Sequence, residues 1–421
     1  MAAAAHQPAA AAESGHDGPQ RVTFVTTALR HGGAEHQVVL LARGLSQRGW
    51  RVGVVSMRPP EAHVEALRDA GVEVRSLDMA RRVPDLRAVV GLARVLQEWR
   101  PDVVHSHMVH ANLLARATRL VSPVPVLIST AHNITEGPRW REVAYRLTEP
   151  LCDLTTNVTP AAVARYIRVR AATADAIRHM PNGIDLDRFR RDDATRQRAR
   201  EALGVRPGQP VLLSVGRFEA AKDHATLIDA MQRVVGGHPD AVLLLVGTGE
   251  REPAVRAQAE ALGLGGRVRF LGVRDDIPAL MNAADVYVMS SAWEGLPLVL
   301  LEAAATGLPI VATDVGGNAD IVLSQRNGLL CPPRDAAALA DAIARVLGLA
   351  PATRQAWGAT GRAHVEEAYG IERVLDRWEA VYGELWDRAG GAARRTGRRA
   401  ASDIRPVEDA RPHPGERRRL S

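Results

Sequence analysis

The chain has 421 residues, 46% of them hydrophobic, with 54 basic against 48 acidic side chains and a net charge of +6. That length is too great for one core and predicts two or three domains. Cys152 and Cys331 lie far apart without CxxC spacing, which excludes a disulfide framework and a structural zinc site and fits a reducing cytoplasm.

Residues 1–20, "MAAAAHQPAAAAESGHDGPQ", carry a charge of −2; they lack the basic start and leucine-type core of an export signal and are expected to form a disordered tail. From residue 21 short apolar runs alternate with longer amphipathic stretches: "RVTFVTTAL", "RVGVVSM", "VEVRSLD", "DVVHSH", "PVLISTAH" and "LTTNVT". This alternation of strand and helix predicts a doubly wound parallel sheet over 21–180, a first Rossmann-like domain. The turn-rich, charged "HMPNGIDLDRFRRDDATR" reads as a linker. The scheme then repeats in "PVLLSVGR", "AVLLLVGTGE", "RVRFLG", "DVYVMSS" and "PIVATD", predicting a second Rossmann-like domain over 181–368. Residues 369–388 place Ile371, Val374, Leu375 and Trp378 at helical spacing. Residues 389–421, net +5, are expected to be a disordered basic tail. No uninterrupted apolar run approaches the length of a membrane span.

The charge is divided unevenly, with +8 over 21–180 and −5 over 181–388. Aromatics are only 4%, so a nucleic-acid module with stacking rings is not expected. A basic first half suits weak attachment to an anionic membrane face, with Arg116, Arg119, Arg139, Arg141 and Arg146 as the expected contacts.

Ligands of such sheets bind beyond the carboxyl ends of the strands, so chemistry is expected there. Gly32-Gly33 offers bare amides and a helix start suited to an anion, although a plain strand-to-helix turn needs the same residues. His105 and His107 alternate at one strand end and share a face, as a metal pair or as packed, hydrogen-bonded histidines; His132 ends the next strand. Lys222 is the single lysine among the 54 basic residues, and a compact ammonium fits between phosphate oxygens where an arginine fork does not. Glu294 and Glu302 are eight apart in "EGLPLVLLE", and a carboxylate in so apolar a segment must accept hydrogen bonds, for example from sugar hydroxyls. The Asp-x-Asp string at Asp185 to Asp187 lies in a turn and is read as a cap, not a metal site.

With "HGGAE", "HSH", "AHN", "PNGID", "VGRF....KDH", "LVGTGE" and the Glu-x7-Glu stretch in order from Arg21 to Trp386, the chain resembles the GT-B-fold retaining glycosyltransferases of family 4. The resemblance implies two Rossmann-like domains facing across a cleft, with the last helix crossing back to the first domain. It implies that Arg217 and Lys222 bind the donor diphosphate, helped by Gly32 and Gly33, and that Glu302 contacts the ribose. Glu294 would hold the transferred sugar, with Gly295 and Leu296 beside it, and the loop at Val273-Arg274 would contribute to donor selectivity. His132 would sit beside the reacting sugar, and His105 and His107 on the acceptor side. The donor would be a nucleotide-diphosphate sugar, and the acceptor a glycan or a lipid-linked molecule of cell-envelope or polysaccharide synthesis. No metal or cofactor is expected, since fixed cations stabilise the leaving phosphate. Where relatives usually carry Glu after the last glycine pair, this chain has Asp320, one methylene shorter. A nucleotide-sugar epimerase, a phosphorylase and a non-catalytic sugar-nucleotide binder are the alternatives.

Overall fold

In a computed structural model the chain is described over residues 18–30, 32–80, 87–135 and 137–390. The tails expected at 1–17 and 391–421 lie outside these residues. Thirteen strands form among the described residues, most of them valine- and leucine-rich and buried on both faces, the outer ones such as β3 and β7 less so. The first sheet contains β1 (Arg21–Thr26), β2 (Arg51–Ser56), β3 (Glu73–Ser76), β4 (Val103–His107), β5 (Val126–Ala131), β6 (Leu154–Asn157) and β7 (Ile177–His179). The second contains β8 (Val211–Val215), β9 (Val242–Val246), β10 (Val268–Phe270), β11 (Val286–Met289), β12 (Ile310–Thr313) and β13 (Gly328–Cys331). Two short strands escape the sequence pattern: β7, "IRH", has one fully buried residue, and β13, "GLLC", starts on a glycine.

The strand orders are β3-β2-β1-β4-β5-β6-β7 and β10-β9-β8-β11-β12-β13, with all pairs parallel. Both sheets are therefore doubly wound, and their order reverses between β1 and β4 and between β8 and β11, the points where loops splay apart and leave a crevice. Helices pack on each sheet because their buried residues recur at helical spacing, as Leu227, Ile228, Met231 and Val234 do in His224–Gly237.

The final helix, Ile371–Arg388, buries Val374, Leu375, Trp378, Val381, Tyr382, Leu385 and Trp386. They share a core with Val22, Phe24, Val38, Leu41 and Met180 of the first sheet and its first helix, Gly33–Gln47. Gly44 admits this packing, since a Cβ there would run into Leu375. At the rim Arg48 reaches Glu372, Asp376 and Glu379 at 2.5–2.7 Å. Two crossing segments lie side by side between the sheets: the Ile184 amide donates to the Tyr369 carbonyl at 2.9 Å, and the Ile371 amide to the Ile184 carbonyl at 3.0 Å. Arg362 ties this junction to the second sheet's helices by donating to the carbonyls of Leu186, Phe189 and Ala305.

Among the described residues no single helix is long and apolar enough to cross a membrane.

Candidate active site

The loops after β8 and β11 bring the sole lysine to the crevice of the second sheet. The Ala292 amide donates to the Ala221 carbonyl at 2.7 Å, and Ser290 Oγ to the Lys222 carbonyl at 2.9 Å, so the two loops are stitched together. The Lys222 stem lies along Gly216, where a Cβ would press on its Cε at 3.3 Å. Its Nζ donates to Glu294 Oε1 at 2.6 Å, and Ser291 Oγ donates to the same oxygen at 2.6 Å. Both side chains are largely buried, 23% and 12% exposed, so the pair is worth more than a surface bridge, and losing one partner strands the other. Arg217 points elsewhere: it is 62% exposed and pairs with Glu219 at 2.8 Å. Phe218, fully buried against His224 and Phe270, anchors this loop.

Glu302 lies in the helix Leu298–Ala305, half-buried, and no hydrogen-bond partner for its carboxylate is found among the described residues. Burial raises its pKa from the ordinary 4.5 to about 7, with Arg188 pulling the other way. A carboxylate so placed has unused acceptor capacity. Leu296 is core, 6% exposed. Val273 is exposed at 67%, and Arg274 forks onto Asp276 at 2.6–2.8 Å on the outside of its loop.

The two sheets approach each other here through glycines. A side chain at Gly295 would meet the His132 carbonyl oxygen, and one at Gly317 would meet Thr159 of the first half. Gly316, at φ +59°, allows the turn that sets the Gly317 amide on the Gly295 carbonyl at 2.7 Å. Gly33, which starts the first helix, faces Leu298. Gly32 caps that helix in extended geometry, but a Cβ on it would clash with the carboxylate of Glu35, which is itself 5% exposed and bonded by Arg30. An anion from the chain itself therefore already sits at this helix start. Sequence reasoning missed Glu35, Ser290 and Ser291; a Ser-Ser pair at a strand end carries no distinguishing signal.

The histidines separate into core and cleft. His105 is wholly enclosed, its Nδ1 2.7 Å from Tyr382 Oη and its Nε2 2.7 Å from Thr130 Oγ1, with Trp378 against its ring. The expectation that His105 lines the acceptor side is thus corrected: the last helix covers it and both nitrogens are taken. His107 shares its face, ring to ring at 4.2 Å, and is equally buried; it reaches His132, Nδ1 to Nε2 at 2.9 Å. His132 is half-buried at the edge of the crevice. Burial lowers the pKa of all three, to about 4 for His132. Asp185 accepts from the amides of Asp187 and Arg188, which makes the Asp-x-Asp string a turn. Asp320 is half-buried, its pKa raised by burial.

Arg116 is also corrected. It is fully buried, bonded to Ser129, Thr155 and the Tyr145 carbonyl, and Arg119 pairs with Asp153. Neither is available to a membrane.

Two facing doubly wound sheets with a lysine–glutamate pair at a strand-order reversal define a two-sheet, cleft-type α/β protein. The family described as glycosyl transferases group 1 matches residues 195–364, and glycosyltransferase family 4 matches residues 31–188. A D-inositol 3-phosphate glycosyltransferase of Nocardia farcinica is 30% identical over 88% of this chain and 90% of its own length. A GDP-mannose-dependent alpha-(1-6)-phosphatidylinositol monomannoside mannosyltransferase of Mycobacterium tuberculosis is 31% identical over 78% and 86%. A UDP-Gal:alpha-D-GlcNAc-diphosphoundecaprenol alpha-1,3-galactosyltransferase of Escherichia coli is 27% identical over 63% and 71%. In fold, the chain superposes on Anabaena HepE in complex with UDP and glucose with a TM-score of 0.75, at 22% identity over 86% of this chain and 99% of that one. The chain belongs to glycosyltransferase family 4, the group 1 glycosyl transferases, and is a glycosyltransferase with the GT-B fold.

Proposed function

We propose that the protein transfers a sugar from a nucleoside-diphosphate sugar to a lipid-linked or inositol-phosphate acceptor in envelope synthesis, with retention at the anomeric carbon and without a metal. The observation that carries this reading is the Lys222–Glu294 pair at the mouth of the crevice, 2.6 Å apart, with Glu302 in the helix that follows Glu294. In this reading the donor diphosphate takes the Lys222 ammonium, and Glu294 is released to accept hydrogen bonds from the sugar hydroxyls. Arg217 turns from Glu219 to the same phosphates. As the sugar–phosphate bond breaks, negative charge grows on the leaving diphosphate, where fixed cations stabilise it without reorganising. The departing phosphate oxygen takes the acceptor hydroxyl's proton, on the same face of the sugar. Glu302 accepts from the ribose hydroxyls, and Val273 and Arg274 border the base.

In the same reading the protein works as two units, 21–180 receiving the acceptor and 181–368 the donor, with Ile371–Arg388 belonging to the first. Relatives that act on diphosphoundecaprenol and phosphatidylinositol compounds support an acceptor held in a membrane. The helix Arg139–Thr148 supports a membrane-facing surface. It exposes Trp140, Val143 and Leu147 at 55%, 46% and 73%, at helical spacing along one side, beside Arg139 and Arg141. An apolar stripe flanked by arginines fits an anionic lipid face.

The direct test incubates purified protein with UDP- and GDP-sugars and lipid-phosphate acceptors, with and without chelator, and reads the anomeric configuration of the product by NMR. Product of retained configuration, undiminished by chelator, is expected. Inverted product, or activity that requires added metal, overturns the corresponding part.

A further inference from the structure

We propose that His107 is a positioning residue that fixes His132 in its Nδ1–H tautomer, so that His132 meets a ligand as a hydrogen-bond donor and not as a base. This deepens the glycosyl-transfer reading and rests on it only for the identity of the ligand.

The contact is direct: His107 Nδ1 lies 2.9 Å from His132 Nε2. Burial keeps both rings neutral near pH 7, so a single proton lies in this bond. There are two arrangements. In one, His107 donates from Nδ1, and its Nε2 is a bare lone pair. In the other, His132 donates from Nε2, which puts the His107 proton on its own Nε2. That atom is enclosed and has no partner among the described residues. A buried N–H without an acceptor is the rarer fault in folded proteins, because under-satisfied acceptors are tolerated better than orphaned donors. The first arrangement is therefore preferred, and His132, accepting at Nε2, must carry its proton on Nδ1. That nitrogen has no protein partner among the described residues, and His132 is only partly exposed where it lies against the second half.

The neighbours hold this arrangement in place. His107 is locked by strand pairing opposite Thr130 and by tilted ring contact with His105, whose two nitrogens are committed to Tyr382 and Thr130. The second ring in a strand-end "HSH" is thus a fixed hydrogen-bond donor inside the sheet.

The test is long-range ¹H–¹⁵N NMR of the full chain labelled with ¹⁵N-histidine, with His132 assigned by His132→Gln. The wild type should show a protonated Nδ1 and an unprotonated Nε2 for His132. His107→Leu removes the donor, and His132 should then average between tautomers. His107→Asn places an amide N–H where Nδ1 was and should restore the wild-type pattern. An Nε2-protonated His132 in the wild type overturns the proposal even if both variants fail to fold, and an unchanged Nδ1–H pattern in His107→Leu overturns the role of His107. In turnover, His107→Leu should lower kcat at least tenfold, with His107→Asn close to wild type; equal loss in both variants counts against positioning. The tautomer is read without nucleotide sugar, so absence of glycosyl transfer would fail the functional reading and leave this one standing.

Discussion

Lys222 shows why one residue type is not exchangeable for another. Its ammonium donates to the one Glu294 oxygen that also accepts from Ser291, and a point charge can pass from carboxylate to phosphate without a fixed fork geometry. Lys222→Ala should lower kcat/KM about 10²–10³-fold with the circular dichroism unchanged, the cost of removing one donor to a developing anion. Lys222→Arg should recover only part of it. Glu302 makes a different prediction, because its pKa is raised to about 7 by burial. The neutral form is favoured in the fold, so this group's contribution to stability is complete below pH 4.5 and is lost as pH rises to about 7. Melting temperature should fall across that window and the fall should flatten in Glu302→Gln. Calorimetric affinity for a nucleoside diphosphate, which needs the carboxylate, should rise through pH 7 in the wild type and lose that dependence in the variant.

At the scale of elements, the helix Arg139–Thr148 exposes an apolar stripe of Trp140, Val143 and Leu147. A core helix hides its apolar stripe, whereas this one buries Tyr145 and presents Trp140 and Leu147 to solvent. Arg146, by contrast, is occupied by the carbonyls of Val169 and Arg170. The protein should pellet with vesicles containing phosphatidylglycerol at low salt. Trp140→Ser with Leu147→Ser should abolish that binding and leave transfer to a short-chain soluble acceptor intact. Binding equal to wild type in the double variant would show that this helix is not the membrane face. Salt should weaken the attachment without removing it, since screening acts on the arginines and not on the apolar side chains.

For the whole molecule, the crevice depends on how closely the two sheets come together. Gly295 lies against the His132 carbonyl with no room for a Cβ, and Gly317 against Thr159. Gly295→Ala should therefore hold the halves apart without unfolding either. Small-angle scattering should give a larger radius of gyration, and kcat/KM should fall at least tenfold, because misplacing reacting groups by about 1 Å costs about 10²-fold. An unchanged radius with wild-type activity would mean that this approach is not required for turnover. The paired crossings at Ile184 and Gly370 allow such movement, being two strands of chain joined by two hydrogen bonds.

The chain alone determined what depends on local pattern. Alternating apolar runs set two doubly wound sheets because a strand buried on both faces must be continuously hydrophobic, and only β7, with one buried residue, and β13, which starts on a glycine, went unseen. The positions of Lys222 and Glu294 in the loops that follow strands were legible for the same reason, since strand ends are where the pattern stops, and Glu302 was legible as a carboxylate in an apolar helix. Partnership was not legible. Nothing in the sequence distinguishes Arg116, buried among Ser129, Thr155 and Tyr145, from Arg139. Nor does it show that Tyr382, 277 residues from His105, closes over that ring. Sequence records which side chains can ionise or donate; the tertiary structure, by choosing which of them lose water and which atoms then face them, decides which ones remain free to meet a ligand.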